Sequence, residues 1–218
     1  MSGVRIKYQT IEITPRLDVH VRSLRDLQQY GGEDDGSQAM GVSSAQWPIF
    51  GVVWDASVQL AIAMSTFDFG SRRIMEMGCG LGLASLVLNS RGADITATDR
   101  HPLAREMLEF NVALNGGPAI PFVRADWTEL QSELSRFDLI IGSDVLFERG
   151  HAESVSAFIG RHANPTCETL LADPGRKQTG RYDRCMQALG FTRHDFEHPA
   201  ENNRSPKGLQ MLSHRREG

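Results

Sequence analysis

Residues 74–82 of this chain read Ile-Met-Glu-Met-Gly-Cys-Gly-Leu-Gly, and this stretch decides the fold class. Its apolar first half predicts a short buried strand over residues 73–77, and the glycines predict a turn ahead of a helical pattern over residues 83–89. Glycine has no Cβ atom, so its backbone can turn sharply and lie against a ligand. A strand, a glycine turn and a helix in this order are typical of the place where open α/β sheets bind nucleotides.

The spacing of the glycines argues against a ligand rich in phosphates. The dinucleotide pattern needs a small residue where this chain has Leu83, and no Gly-Lys-Ser/Thr triplet follows as in a Walker loop. Glu76, two residues before Gly78, would repel a pyrophosphate but could pair with a cationic group. The loop therefore favours a nucleoside that carries a positive charge in place of phosphates.

Strand and helix patterns alternate along the chain from residue 54 onward. The predicted helices are 56–66, 83–89, 102–115, 151–162 and 180–189, and the predicted strands are 73–77, 94–98, 119–124, 137–142, 168–172, 191–196 and 209–213. The last two strands have no helix between them, so the final strand is expected to run antiparallel to its neighbours. The predicted fold class is α/β, a Rossmann-like sheet of seven mostly parallel strands with helices on both faces.

The first thirty residues predict β-strands that stand apart from this alternation. Apolar side chains alternate with polar ones up to residue 21, with a turn at residues 14–16, and a loop rich in Gly, Asp and Glu follows at residues 30–41. We expect an N-terminal β extension with its loop over residues 1–45 and the main domain over residues 46–218. The extension either covers a substrate groove or lengthens the sheet.

The composition is that of an ordinary globular chain. Its 218 residues include 23 Lys and Arg against 27 Asp and Glu, a net charge of −4 that differs from the basic excess of electrostatic nucleic-acid binders. The three cysteines lie far apart and have no metal-ligand spacing. We expect a cytoplasmic protein with reduced cysteines and no metal, which binds neither nucleic acid nor a membrane.

Acidic residues follow the strands that come after the glycine loop. Asp99 ends the next strand, where its carboxylate could accept hydrogen bonds from both hydroxyls of a ribose or could instead cap the helix ahead of Pro102. Asp126 and Trp127 follow the third strand, and Asp144 comes directly after the fourth.

Together these residues resemble the seven-strand S-adenosylmethionine (SAM) methyltransferases, whose first motif is E/D-x-G-x-G-x-G. The resemblance covers about residues 50–213 and implies SAM as the cofactor of the domain predicted over residues 46–218. In that family the glycine loop holds the methionine end, the acidic residue after the second strand holds the ribose, and an Asp-Trp pair holds the adenine. The cofactor-binding residues that this implies are Trp54, Glu76, Gly78, Gly80, Gly82, Asp99, Arg100, Asp126, Trp127 and Ser143.

Three details narrow the resemblance to the family-16 methyltransferases, which are mainly protein-lysine enzymes. Residues 50–54 (Phe-Gly-Val-Val-Trp) are similar to the family's G-x-x-V/I-W segment, and the Asp126-Trp127 pair is the second detail. Residues 143–148 (Ser-Asp-Val-Leu-Phe-Glu) resemble its D-x-x-Y motif, with Phe147 in place of tyrosine. The resemblance implies methyl transfer to a lysine amine of a protein. Transfer to a small-molecule amine and a SAM-binding protein without catalysis remain alternatives, and both tryptophans are alternatively packing residues.

Asp144 and Phe147 are the predicted catalytic residues. Methyl transfer from a sulfonium is an in-line displacement, and a lysine, whose pKa is about 10.4 in water, must first lose a proton. We expect Asp144 to orient the amine through one N–H group and Phe147 to form an apolar or cation–π wall. Glu148 and His151 could help to remove the proton, although His151 is alternatively a surface residue at a helix start.

One further segment has two interpretations. Residues 173–176 (Asp-Pro-Gly-Arg) follow the fifth predicted strand and resemble a segment in the branch that includes the methyltransferase of the electron-transfer flavoprotein β-subunit. The end of a strand is on the ligand side of such a sheet. A tight Pro-Gly turn without a role in binding explains the same residues.

Overall fold

The computed structural model describes residues 5–27, 49–130, 134–197 and 206–218. Within these ranges a helical turn of the 3₁₀ type spans Ile49–Gly51. The helices are α1 (Asp55–Thr66), α2 (Leu83–Ser90), α3 (Ala104–Asn115), α4 (His151–His162) and α5 (Thr179–Ala188). The strands are β1 (Ile6–Thr14), β2 (Leu17–Leu24), β3 (Arg73–Met77), β4 (Asp94–Asp99), β5 (Phe122–Arg124), β6 (Phe137–Ser143), β7 (Ala163–Asp173), β8 (Thr192–His194) and β9 (Gln210–Arg216).

Seven of these strands form one twisted sheet in the order β5-β4-β3-β6-β7-β9-β8. The strands from β5 to β7 are parallel, whereas β9 runs antiparallel to both β7 and β8. The predicted α/β class, the seven-stranded sheet and its antiparallel last strand are therefore confirmed. None of the helices in the described ranges is long and apolar enough to cross a bilayer.

Two hydrophobic cores cover the two faces of the sheet. Successive side chains of a strand point to opposite faces, so Ile74 joins the core with α1, α2 and α3, whereas Met75 joins the core with α4 and α5. Strand β6 divides in the same way, with Ile141 in the first core and Ile140 in the second. Burial on both faces explains why β6 reads as a continuous apolar run.

Some predicted boundaries differ from the structure. Helix α3 begins at Ala104 rather than at Pro102, because the N–H of His101 donates to Asp99 Oδ1 at 2.8 Å and residues 100–103 form a turn. Strand β7 begins at Ala163, five residues before the predicted start. The prediction missed its first half because the polar residues there do not show the pattern of a buried strand. Strands β5 and β8 are three residues long and shorter than predicted. The predicted loop at residues 30–41 lies outside the described residues.

The N-terminal strands form a separate antiparallel hairpin, with its turn at Pro15 and Arg16. The hairpin does not lengthen the seven-stranded sheet. Its buried side chains, among them Val19, Val21 and Leu24, belong to the same hydrophobic core as α1 and α3. The boundary predicted at residue 45 falls outside the described residues.

Two asparagines of α3 bind the backbone of β2 at its outer edge. Asn115 accepts the N–H of His20 at 2.9 Å and donates to the carbonyl of the same residue at 2.7 Å. One turn earlier, Asn111 accepts the N–H of Arg22 at 2.7 Å and donates to the carbonyl of Leu81 at 3.1 Å. The fully buried side chain of Asn111 therefore links the hairpin to the glycine loop.

Glu76 holds the helix that follows the same loop through hydrogen bonds to its first turn. Its side chain is 1% exposed, and one carboxylate oxygen accepts both the N–H of Ser85, at 2.9 Å, and the Ser85 hydroxyl. Ser85 lies in the first turn of α2, where N–H groups have no partner within the helix and a carboxylate is favoured by the helix dipole. Burial is the main cause that raises the pKa of Glu76 to about 7.

We predict that Asn111→Ala lowers the free energy of unfolding by about 2–3 kcal/mol, because it leaves the Arg22 N–H and the Leu81 carbonyl without partners in a region of low solvent access. The matched control is Asn115→Ala, because the His20 N–H and carbonyl that it releases are exposed and can bind water. Its loss should stay below about 1 kcal/mol. Urea unfolding followed by circular dichroism measures both, and equal losses would contradict the bridging role of Asn111.

Glu76 should make the protein less stable as the pH rises from about 5 to 8. The unfolded chain releases this proton near pH 4.5 and the folded chain near pH 7, so the folded state loses relative stability across that window. The decrease amounts to about 3 kcal/mol. Urea unfolding at both pH values should show a smaller decrease for Glu76→Gln and an unchanged one for Glu109→Gln on the exposed side of α3. Equal pH dependence of Glu76→Gln and the unsubstituted protein would refute this.

Candidate functional site

The loop between β3 and α2 has three left-handed residues, Gly78, Gly80 and Gly82, with φ of 60°, 54° and 77°. Side-chain-bearing residues rarely adopt such angles, and the surroundings leave no space for them either. A Cβ atom on Gly80 would lie 2.8 Å from the Phe50 carbonyl oxygen, and one on Gly82 would lie 2.4 Å from Leu108 Cδ1. The loop backbone therefore lies closer to its neighbours than any other residue type would allow.

Asp99, at the end of β4, fixes the middle of this loop. Its Oδ2 atom accepts the N–H of Gly80 at 2.9 Å, and its Oδ1 atom accepts the N–H of His101 at 2.8 Å. Burial raises the pKa of Asp99. Each oxygen keeps a second lone pair for a hydroxyl donor. The alternative that Asp99 is the N-cap of α3 is not what the structure shows, because that position belongs to Leu103.

Aromatic rings form another part of the cavity lining. The rings of Phe50 and His101 are stacked, with centroids 3.7 Å apart and planes 11° apart. Burial, together with the charges of Arg100 and Arg124, lowers the pKa of His101 to about 3, so a neutral ring makes this stack. The indole N–H of Trp54 donates to the Ile49 carbonyl at 2.9 Å, which holds this half-buried ring at the start of α1.

Asp126 and Trp127 follow β5 and lie side by side in the cavity wall. Asp126 accepts both the N–H of Thr128, at 2.8 Å, and its hydroxyl, at 2.6 Å. Partial burial raises the pKa of Asp126. These hydrogen bonds and the charge of Arg100, 3.9 Å away, lower it by more than burial raises it, so the net shift of this pKa is downward. Trp127 is half-buried, and its Cζ2 atom would be 3.0 Å from a Cβ on Gly78.

Asp144 follows Ser143 at the end of β6 and is held in a rare backbone conformation, with φ of 50°. Its N–H donates to the Ala172 carbonyl at 2.8 Å. Both of its carboxylate oxygens bind Arg176, from Nε at 2.8 Å and from Nη2 at 2.6 Å. This pair raises the pKa of the Arg176 guanidinium. The segment of residues 173–176 is thus a turn whose last side chain reaches the predicted catalytic carboxylate.

Phe147 and His151 form the wall next to this ion pair. Their rings meet edge to face with centroids 4.5 Å apart, and His151 also meets Trp127 in this way at 5.3 Å. His151 Nδ1 contacts the Val145 carbonyl at 3.0 Å, and Nε2 lies 3.5 Å from Glu148 Oε2. Burial is the main cause that lowers the pKa of His151. The alternative of a surface histidine is not supported, because this ring is half-buried.

The structure brings most of the predicted site residues into one cavity of about 720 Å³. Those that line it are Trp54, Gly78, Gly80, Asp99, Arg100, Asp126, Trp127, Ser143, Asp144 and Phe147. Glu76 and Gly82 differ from the prediction, because they lie outside the lining and act on the shape of the loop. Glu76 already has Ser85 as its partner, so its carboxylate is a support of the loop.

His151, which we expected could help to remove the proton, lines the cavity. Phe50, His101 and Arg176 line it as well, and none of these three is in the predicted set of binding or catalytic residues. The sequence contained a signal for two of them, since Phe50 opens the segment that ends at Trp54 and Arg176 closes the Asp-Pro-Gly-Arg segment. His101 gave no such signal. Its ring belongs to the site because the chain turns back from Asp99, which only the folded backbone reveals.

The chain is similar to a known protein family and to several known proteins. Residues 42–181 match the family described as lysine methyltransferase. The protein N-lysine methyltransferase METTL21A of Danio rerio is 35% identical over 115 residues, which cover 48% of this chain and 52% of that protein. The corresponding protein of Mus musculus is 34% identical over 135 residues, which cover 58% of this chain and 62% of that protein. The chain thus matches only part of the length of these relatives.

A solved structure extends the likeness to nearly the whole fold. The ribosomal protein L11 methylase of Lactobacillus delbrueckii subsp. bulgaricus superposes with a TM-score of 0.64 at 16% identity, over 97% of this chain and 100% of that chain. At this identity the likeness concerns the fold alone. The family match covers well over half of the residues and includes the glycine loop, Asp99, Asp126 and Asp144. The chain therefore belongs to the lysine methyltransferase family.

Proposed function

We propose that the cavity binds SAM and that the protein transfers its methyl group to a lysine amine of another protein. The observation that carries this proposal is the glycine loop with Asp99 at its centre, in a chain of the lysine methyltransferase family. Curated relatives named as protein N-lysine methyltransferases support a protein acceptor.

The residues present fit this cofactor. The cavity volume lies in the range of small-molecule and cofactor sites, about 300–1,000 Å³. A nucleoside needs a flat slot and hydroxyl acceptors, and the cavity offers the Trp127 ring, the Phe50 and His101 stack and the carboxylate of Asp99. Asp126 has an oxygen for an exocyclic amine, and Gly78 and Gly80 allow close approach of a chain. The lining has three carboxylates against two arginines, and the glycine loop lacks the phosphate-binding patterns, a combination that suits a cationic ligand.

SAM, when bound, supplies a methyl group activated by the positive charge on sulfur. The chain's own residues have to exclude water, align the acceptor nitrogen and hold it without a proton. Asp144 can accept one N–H of the amine, and Phe147 offers an apolar face for the methylene groups of the acceptor. The exposed side of Arg176 marks where the cavity meets solvent, so a side chain of another protein can approach there.

The proposal includes a cytoplasmic location and a protein partner, with no binding to nucleic acid or to membranes. The acidic net charge supports the absence of an electrostatic nucleic-acid surface. The cysteines support a reducing compartment, since all three are unpaired in the structure.

Incubation with methyl-labelled SAM tests this function directly. The purified protein is added to a lysate of cells of the source organism in which the gene for this protein has been deleted. We expect label in a protein band, recovered as methyllysine after acid hydrolysis and suppressed by S-adenosylhomocysteine. Asp99→Ala serves as a control and should lose labelling, because it removes both the ribose acceptor and the support of the Gly80 N–H.

Other outcomes select the alternatives. Label that appears only in the small-molecule fraction would indicate a metabolite as the acceptor. S-adenosylhomocysteine binding without any labelling would indicate a binding protein, and a Phe147→Tyr variant would then show whether the family's hydroxyl restores transfer. The absence of S-adenosylhomocysteine binding in calorimetry would refute the proposed function as a whole.

A further inference from the structure

The predicted catalytic carboxylate of Asp144 is already neutralised within this chain. Arg176 binds it with two nitrogens, at 2.8 and 2.6 Å, the parallel geometry in which guanidinium–carboxylate pairs are strongest. The two partners differ in exposure, because the Asp144 side chain is 12% exposed and the Arg176 side chain 42%. A carboxylate that is mostly removed from water depends on such a partner more than the arginine does.

Both partners are positioned by their backbones. Asp144 is held at its left-handed φ by the end of β6, and such strain in a residue other than glycine persists only where the surroundings enforce it. On the other side, Asp173 Oδ1 accepts the N–H groups of Gly175 at 2.8 Å and of Arg176 at 2.9 Å. Asp173 is itself 1% exposed. Arg176 therefore leaves a fixed turn and is unlike a loose surface arginine.

A carboxylate without this partner would oppose the chemistry of the proposed function. An opposite charge within about 4–6 Å favours the charged form of an amine, and that form has no lone pair to attack a methyl group. A carboxylate that is neutralised by a guanidinium keeps lone pairs for one N–H of the acceptor but attracts an ammonium far less. The pair can therefore orient an amine and still favour its neutral form.

We propose that Arg176 is a positioning residue that neutralises Asp144, so that the acceptor amine is bound without its extra proton. This inference rests on the proposed function and deepens it, because it makes the protonation state of the acceptor a property of the Asp144–Arg176 pair.

The atoms and charges of the step balance. The ammonium of the acceptor gives its proton to solvent water before it binds. The nitrogen lone pair then forms the N–C bond while the C–S bond breaks, and the positive charge moves from sulfur to nitrogen. The methylated ammonium gives up its proton to solvent after it leaves. No net charge is created in the cavity, so an unpaired carboxylate is not required.

Other charged groups face this region from the neighbouring elements. Asp173 lies below Arg176 in its turn, Glu148 and His151 lie behind Phe147 at the start of α4, and Arg100 and Asp126 lie in the wall of β4 and β5. Burial lowers the pKa of the His151 imidazole from its ordinary value, so this ring is neutral in the pH range of the experiments. A His151 variant separates the effect of Arg176 from that of this neighbouring ring.

A binding experiment without turnover tests the neutralisation itself. n-Butylamine is titrated at pH 7.5 into the protein saturated with S-adenosylhomocysteine, and binding is followed by NMR relaxation of its methylene signals. We expect Arg176→Gln to bind this ammonium at least about tenfold more tightly than the unsubstituted protein, because Asp144 loses its competing cation. The matched control is Arg181→Gln. Arg181 is an exposed residue of α5 that pairs with Glu153 of α4, so this substitution should leave the affinity unchanged. Equal affinity of Arg176→Gln and the unsubstituted protein, or no binding to either, would overturn the inference.

The pH dependence of methyl transfer to the labelled protein band gives the second readout. For Arg176→Gln the rising limb of the rate should lie at least about one pH unit higher, with rates that approach those of the unsubstituted protein at pH 10. Arg176→Lys keeps the charge and should restore most of the original profile, and His151→Gln in the same background should not abolish the difference. A loss by the same factor at every pH would indicate a structural role and overturn the inference. If the unsubstituted protein labels no band, the proposed function fails, and the n-butylamine titration still decides on the pair.

Discussion

The backbone of residues 78–82 passes through three left-handed glycines, and the position of every other group in the site depends on it. Buried polar side chains hold the loop and its flanks from three directions. Asp99 binds the Gly80 N–H, Asn111 binds the Leu81 carbonyl, and Glu76 binds the first turn of the helix that follows. Loops usually satisfy their backbone with water. Here protein groups take that place, so the loop is fixed before any ligand arrives.

These contacts also explain how distant parts of the chain meet at one cavity. Asn111 connects the loop to the N-terminal hairpin, and the Gly80 position leaves no space between the loop and the Phe50 carbonyl. The parallel strands β4, β5 and β6 end at the same edge of the sheet, and an aspartate lies at or just after the end of each. Asp99 has backbone partners, Asp126 has Thr128 and Asp144 has Arg176. A cavity with three carboxylates remains stable because each of them has a donor from the chain itself.

Much of the fold followed from the sequence because its signals are local. The apolar run of β6 and the glycines at residues 78–82 predicted their elements from spacing alone, and the antiparallel β9 followed from the missing helix before it. The predicted starts of α3 and β7 were wrong. A hydrogen bond from the His101 N–H to Asp99 delays the start of α3, and the first half of β7 is polar and lacks the apolar pattern of a strand. The starts of helices and the ends of strands depend on such contacts, which periodicity does not contain.

The sequence named lining residues of the cavity where the residue type suggested a ligand contact, and it missed those whose position depends on a partner far along the chain. Asp99, Asp126 and Asp144 line the cavity as expected. The pairing of Asp144 with Arg176 joins residues 32 positions apart, and the stack of Phe50 on His101 depends on the turn after β4. Glu76 has the residue type of the motif, yet its carboxylate faces Ser85 beneath the loop. Only the folded backbone determines which side of a loop such a carboxylate faces.

The central claim is that the conformation of the loop at Gly80 creates the cofactor site. Calorimetric titration of the Gly80→Ala and Gly92→Ala variants with S-adenosylhomocysteine tests it most directly. Both glycines have a positive φ. Only a Cβ atom on Gly80 would meet another atom, the Phe50 carbonyl oxygen at 2.8 Å. The left-handed strain alone is about 1–2 kcal/mol in each variant. We expect Gly92→Ala to keep its affinity within about twofold and Gly80→Ala, still folded by circular dichroism, to lose at least about 100-fold, equivalent to about 2.7 kcal/mol. Unchanged affinity of Gly80→Ala would contradict the account.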